Sequence, residues 1–382
     1  MTVSAPLIQA TEKFAHWMQT YALPLWQQQG IESSSGASTE CMNALGKAEF
    51  AQDRRTRVQA RQMFTYAAAY ELGWCAQGQG IVTAIQHYLD NHATHPQYPG
   101  AYVFKLDAAH QVVDNSLDTY DCAFFLLAWS YQFRAFGDTC AKLRAERLLA
   151  MLDSTFKTTT GGWLEGSLGG TRRQNPHMHL FEALLAWYEA SGEAKWLARA
   201  AEIFSLFELK FFSHQHGVLY EYFHQDLSPL SFAQGQAVEP GHHMEWVWLL
   251  RRYQMFSDAP VSAYCDTLYQ RGIQFGQDRN GLLFDEVNHL GQVTKASKRL
   301  WTVTELIKAH LAEARIGRPG AELAAAKAIN ALFEHHLNCP VPGLYIERLD
   351  EHNQPLAQSA PATSMYHLMM ACVEAFSYCQ NK

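Results

Sequence analysis

Six polar side chains recur along this chain at near-constant spacing: Arg61, Tyr120, His179, His242, Glu305 and His367. The gaps between them are 59, 59, 63, 63 and 62 residues. Three are histidines, whose imidazoles titrate near neutrality and can act as acid or base in water. The arginine offers fixed positive charge to a developing oxyanion, and the tyrosine and glutamate offer further hydrogen bonds. Residues so far apart form one site only if the fold returns repeatedly to the same place, as a repeated supersecondary unit does.

The local motifs sharpen the chemistry. His242 lies in VEPGHHMEW, where Pro240 suits the first turn of a helix. Glu245 follows His242 at i+3 on the same face, a spacing that can orient an imidazole, whereas His243 points elsewhere. His367 lies in PATSMYHLMMACVEAF, a polar break running into an apolar helix. In RRQNPHMHLFEA, His177 and His179 point apart on a helix, and no third-ligand motif such as HExxH accompanies them, so no metal is expected. His179 reads as a substrate hydrogen-bonding group, and Asn175 as a ligand contact or a helix cap. Arg172 and Arg173 could meet an anionic substrate group or lie paired at the rim. Arg61, in the apolar RVQARQMF, needs a substrate oxyanion or a carboxylate beside it. Tyr120, Trp301 and Glu305 are polar handles on otherwise apolar helix ends. Asp121, Glu165 and Glu239 are conceivable acids for a two-carboxylate glycosidase.

A second set of repeats supplies the frame. The segments YPGAYVFKLD, GGWLEGSLGG, HGVLYEYFHQ, NGLLFDEVNH and PGLYIERLDE are led by Gly100, Gly162, Gly217, Gly281 and Gly343. Each reads as a turn entering a short hairpin or extended loop. Between them lie couplets of helical patterns, the first member apolar on most faces and the second charged on one side only. NPHMHLFEALLAWYEA followed by EAKWLARAAEIFSLFELKF is one example; DCAFFLLAWSYQF, HHMEWVWLLRRYQMF and TELIKAHLAEARI begin others. An outer helix over 11–29 and an inner one over 57–72 precede these, and 364–378 closes the inner set. The predicted fold is all-α, an (α/α)6 barrel of inner and outer helices with short β-hairpin loops at one end. An open solenoid would share the period without needing such apolar alternate helices. No linker-like run divides the chain, so one catalytic domain over 1–382 is expected.

Composition narrows the classes further. The net charge is −7 and the basic residues are scattered, which disfavours nucleic-acid binding. The eight cysteines show no CxxC spacing, and several fall inside apolar helical patterns as small hydrophobes. The opening MTVSAPLIQATEKF lacks the basic-then-apolar order of a secretory signal, and the longest apolar run, 123–129, is too short to span a bilayer. A cytoplasmic protein with no membrane partner, no cofactor and a monomeric or homodimeric state is the expectation. No GxGxxG, Walker or GxSxG motif is present.

Taken together, RVQARQ, TYDCAF, QNPHMHLFEA, VEPGHHMEW, KRLWTVTE and PATSMYH resemble the N-acylglucosamine 2-epimerase superfamily, and within it the aldose–ketose isomerase branch typified by D-mannose isomerase. The resemblance runs from about residue 40 to 376. It implies an (α/α)6 barrel acting without metal on a monosaccharide through an enediol, converting D-mannose to D-fructose or D-lyxose to D-xylulose. Epimerisation of mannose, cellobiose or N-acylglucosamine at C2 is the alternative within the family, and an (α/α)6 glycosidase or a sugar-binding scaffold the alternatives outside it. By motif, His242 and His367 match the acid/base pair, and Glu245 and Arg61 join them as catalytic residues. Tyr120, Asn175, His179, Trp301 and Glu305 match positions around the sugar. One histidine, assisted by Glu245, is expected to open the pyranose ring while His367 shuttles a proton between C1 and C2; the sequence does not settle how the two histidines share these tasks. His177, in the HMH form of its motif, departs from the pattern and receives no role.

Overall fold

A computed structural model describes residues 2–231, 233–356 and 359–380. Six helices form an inner ring: α3 (Thr56–Glu71), α5 (Thr119–Phe136), α7 (Asn175–Ser191), α9 (Pro240–Gln254), α11 (Leu300–Arg315) and α13 (Met365–Gln380). The outer layer comprises α1 (Ala5–Trp17) with its continuation α2 (Leu23–Gly30), then α4 (Gly78–His92), α6 (Thr139–Thr155), α8 (Ala194–Leu206), α10 (Ser262–Gly276) and α12 (Ala321–His335). Each inner helix contacts the next, and α13 contacts α3, so the ring closes. The closed barrel expected from the alternation of apolar and amphipathic helices is therefore the observed one.

Burial follows the pattern that built the expectation. In α9 every residue from Pro240 to Tyr253 is buried, and in α11 every residue from Leu300 to Ala314. In α8 the buried residues are Trp196, Ala200, Ile203 and Phe204, a single stripe at helical spacing. Local signals set the ends. Asp118 caps α5 by accepting the Tyr120 N–H at 2.9 Å, and Gly137 ends that helix in the left-handed conformation.

Two elements differ from the sequence reading. The first outer helix begins earlier than residue 11 and is interrupted by a π-helical turn, Met18–Ala22, just before Pro24. Proline has no N–H to return to the preceding turn, and the wider turn absorbs that missing bond. Helix α4 was not foreseen, because Gly78 and Gly80 weaken its helical signal at the start.

The loops that enter the inner helices gather at one end of the ring. All five repeat glycines have positive φ, between 64° and 94°, which confirms them as turns. Hairpins form at Lys105–Leu106 with Val112–Asp114, Phe212–Ser213 with Val218–Leu219, and Glu286–Asn288 with Val293–Lys295. The remaining short strands pair between neighbouring units instead. The two residues ahead of α3, Arg54–Arg55, pair with Lys105–Leu106 of the next unit, and Arg172–Arg173 pair likewise with Tyr222–Phe223. Cys41–Met42 pair with Ala360–Pro361, fastening the first loop to the last.

A side-chain rule accompanies this strand ring. Glu40, Glu165 and Asp285 each lie three or four residues after a turn glycine and accept both the backbone N–H and the Nε–H of an arginine just ahead of an inner helix: Arg55, Arg173 and Arg299. These clamps fix where α3, α7 and α11 begin, and hence where their first side chains point.

Candidate active site

At the end where the inner helices begin, their first two turns surround a cavity of about 200 Å³. That is smaller than the roughly 300–1,000 Å³ of clefts for drug-sized ligands, so it suits a small polar molecule. Eight of the nine sequence-predicted residues line it: Arg61, Tyr120, Asn175, His179, His242, Glu245, Trp301 and His367. The ninth, Glu305, lies behind the wall and accepts a hydrogen bond from His367 Nδ1 at 3.0 Å. Glu239, Arg299, Glu347, Thr363 and Ser364 complete the lining.

Both catalytic candidates pack on one indole. The Trp301 ring centroid is 5.0 Å from that of His242 and 5.9 Å from that of His367. Their electrostatic surroundings are opposite. Burial works against a charge on His242, but Glu221 and Glu239 outweigh it and push the imidazole up to about 9. Burial also acts on His367, and there Arg61 and Lys308 reinforce it, holding that imidazole well below its usual 6.5. At neutral pH, His242 is therefore an imidazolium and His367 a neutral base. Environments that push two like groups apart assign an acid and a base.

The partner of His242 is a correction to the sequence reading. Glu245, expected to orient it from i+3, does not receive its Nδ1. Glu221 does, at 2.9 Å, and is itself held by Gln174 Nε2 at 2.9 Å. Glu221 occupies the turn position that clamps an arginine in other units. Here the residue ahead of α9 is Glu239, whose N–H lies 3.4 Å from Glu221, so the carboxylate is free to reach the imidazole. The sequence signal was present: an acid four residues after the repeat glycine. On the cavity side, Nε2 of His242 lies 3.3 Å from the Asn175 amide, whose oxygen is otherwise unpartnered; with the amide turned over, that oxygen would accept an imidazolium N–H.

Both Glu245 carboxyl oxygens are buried without a hydrogen-bond partner, and the nearest imidazole nitrogen, His179 Nδ1, is 3.8 Å away. Burial and the nearby Glu305 hold its carboxyl well above the ordinary range, so it is a neutral acid at the cavity wall. His179 Nδ1 is 3.1 Å from Glu182, which also accepts the Tyr366 hydroxyl. Arg61 has no carboxylate partner among the described residues. It bonds Thr363 and donates to the Tyr120 hydroxyl at 2.7 Å, while its guanidinium lies 4.0 Å from the Phe124 ring centroid.

Other sequence candidates fall outside the cavity. Arg172 donates to the carbonyls of Gln225, Gly161 and Trp163, and Arg173 is held by Glu165, so neither meets a ligand there. Asp121 accepts from Arg57 at 3.0 Å. His177 is structural: Nε2 accepts the Trp163 N–H at 3.0 Å and Nδ1 faces the Arg173 carbonyl at 3.1 Å. His243 likewise accepts the Leu219 N–H. Among the described residues, two groups offer metal-like donor sets, His179 with Glu182 and Glu245, and Glu221 with Glu239 and His242. In both sets protein donors already occupy carboxylate oxygens: Tyr366 on Glu182, Gln174 on Glu221 and Arg299 on Glu239.

Known proteins share this arrangement of chain. The family model described as N-acylglucosamine 2-epimerase (GlcNAc 2-epimerase) matches residues 36–371. A mannose-6-phosphate isomerase of Rhizobium meliloti (strain 1021) is 33% identical over 386 residues, covering 96% of each chain. The crystal structure of a D-mannose isomerase superposes with TM-score 0.84 at 21% identity, over 95% of this chain and 96% of that one. A cellobiose 2-epimerase from Bacillus thermoamylovorans B4167 superposes with TM-score 0.86 at 16% identity, over 95% and 98%. The two structural likenesses, at such low identity, establish the barrel. With the family match spanning most of the sequence, the chain belongs to the N-acylglucosamine 2-epimerase family, enzymes that rearrange a sugar within one molecule.

Proposed function

We propose that the protein is an aldose–ketose isomerase acting on an unphosphorylated monosaccharide, D-mannose to D-fructose first and D-lyxose to D-xylulose second. The observation that carries this reading is the pair of imidazoles packed against Trp301, His242 held protonated and His367 held neutral. His242, as the acid, protonates the ring oxygen as the C1–O5 bond breaks and recovers a proton from the C1 hydroxyl, so that the hemiacetal opens to the aldehyde. His367, as the base, takes the C2 proton, leaving an enediolate whose charge develops beside Arg61 and Tyr120. Inner-helix N-termini add favourable potential for that charge. Passage of the O2 hydroxyl proton to O1, with delivery to C1 of the proton held by His367, which exchanges with water while the imidazole carries it, yields the ketose with no net gain or loss of atoms or electrons.

A neutral sugar follows from the charges. Of the two arginines lining the cavity, Arg299 is spent on Asp285 and Glu239, leaving Arg61 as the one without an acidic partner among the described residues. A phosphate normally draws several such donors, and Glu239 and Glu347 would oppose it. The reaction also needs no metal, because proton transfer and oxyanion stabilisation are both assigned to side chains.

Incubation with D-mannose in deuterated water tests the reading. Fructose carrying deuterium is the expected product, unaffected by chelator, and His367→Ala should abolish exchange at C2 while the fold persists. Glucose as sole product would select the epimerase reading, in which the enediol is reprotonated at C2 on its other face. Faster turnover of mannose 6-phosphate than of mannose would overturn the neutral-sugar assignment.

A further inference from the structure

Lys308 lies wholly inside the barrel, one turn below Glu305 on α11, and does not line the cavity. Its Nζ is 2.6 Å from Glu305 Oε2 and 3.6 Å from the Trp248 ring centroid. Burying a lysine is costly without a compensating partner, and a surface-like stabilising role is ruled out by its position. Glu305 thus has two claimants: Lys308 on Oε2 and the His367 Nδ1 on Oε1, at 3.0 Å.

We propose that Lys308 is a positioning residue for the isomerisation, holding Glu305 by one oxygen so that the other receives Nδ1–H of His367 and the opposite nitrogen faces the sugar as a free lone pair. This rests on the reading of His367 as the base. A carboxylate bound only to an imidazole stabilises the imidazolium, which would remove the base at neutral pH. A carboxylate already neutralised by a lysine orients the ring through the same hydrogen bond without drawing a proton onto it. The other groups acting on His367 are Arg61 on α3 and His179 and Glu182 on α7, with the Tyr366 ring of α13 4.6 Å from its own; Glu245 on α9 acts in turn on that tyrosine. Arg61 acts in the same sense as Lys308, Glu182 in the opposite one, and burial reinforces the cations.

The test is the acid limb of kcat/KM for mannose in Lys308→Met. The limb should move up by about one pH unit or more, with roughly tenfold lost per unit on its acid side. Activity near pH 8 should fall much less. A uniform loss at every pH, with the limb unmoved, would show a purely structural lysine and overturn the proposal. Should Lys308→Met fail to fold, the double variant Lys308→Met/Glu305→Gln decides. Its amide carbonyl still accepts Nδ1–H without a charge, so its limb should stay at the parent position; a raised limb would overturn the proposal. Deuterium exchange at C2 surviving in His367→Ala would instead discard the underlying reading, whatever the lysine variants do.

Discussion

Glu221 Oε2 lies 2.9 Å from Nδ1 of His242, joining a turn residue to a helix residue 21 positions later. The equivalent acids Glu165 and Asp285 hold Arg173 and Arg299. One place in a repeated scaffold thus clamps an arginine in some units and holds an imidazole at the cavity in another. The difference is the replacement of an arginine by Glu239 ahead of α9.

Replacing Glu221 by Gln should remove the charge that keeps His242 protonated. The basic limb of kcat/KM should move from about 9 toward the ordinary 6.5. At pH 8 the loss should be roughly ten- to a hundredfold, within the usual weight of a general acid. Glu165→Gln is the comparison: it should lower the melting temperature and leave the limb in place. A Glu221→Gln profile superimposable on that of the parent would reject the pairing as functional.

The parent profile itself has a defined sign. In the proposed mechanism, activity requires His242 charged and His367 neutral. It should therefore fall as pH rises through about 9, where His242 loses its proton, and hold on acidification well past 6.5, because His367 resists protonation. Stopped assays from pH 5 to 10 would show this; a midpoint near 6.5 on the acid side would contradict it.

Arg61→Lys should behave as a severe substitution. A lysine cannot bridge Thr363 and Tyr120 while presenting a third donor to the sugar. Loss of an oxyanion donor costs about 2.7–4 kcal/mol, or roughly 10²–10³ in kcat. A change confined to KM would mean that Arg61 binds ground state and transition state alike.

His177→Ala should cost stability and spare catalysis. It strands the Trp163 N–H, at about 1–3 kcal/mol, with kcat/KM close to that of the parent. Burial, helped by Arg172, holds His177 down at about 3, against 6.5 unfolded. Between those values the unfolded chain binds the extra proton, so this histidine's contribution is present above pH 6.5 and lost on acidification. Denaturant titrations at pH 7 and pH 5 should show the parent losing more stability than the variant over that interval. Equal losses would contradict the buried, neutral assignment.

Much of this molecule was legible in one dimension. Apolar periodicity separates inner from outer helices because a helix surrounded by others must be apolar all round, whereas one facing water need not be. The glycines marked the turns because only they adopt positive φ without strain. Spacing near sixty residues then brought Arg61, Tyr120, His179, His242 and His367 to one cavity, once the ring was taken to close. Motif order supplied Asn175, Glu245 and Trp301.

What the chain alone left open was who touches whom. Glu245 shares a helical face with His242, yet Glu221 takes its nitrogen, because i+3 spacing restricts direction and says nothing of a loop arriving from the neighbouring unit. The division of labour between the two histidines depends on charges from several inner helices and their entry loops: Glu221 and Glu239 beside one, Arg61 and Lys308 beside the other. Residue types and their periods are properties of the sequence, and they determined the barrel and its polar mouth. Proton affinity is set by distances through a low-dielectric interior, which exist only after the ring has closed.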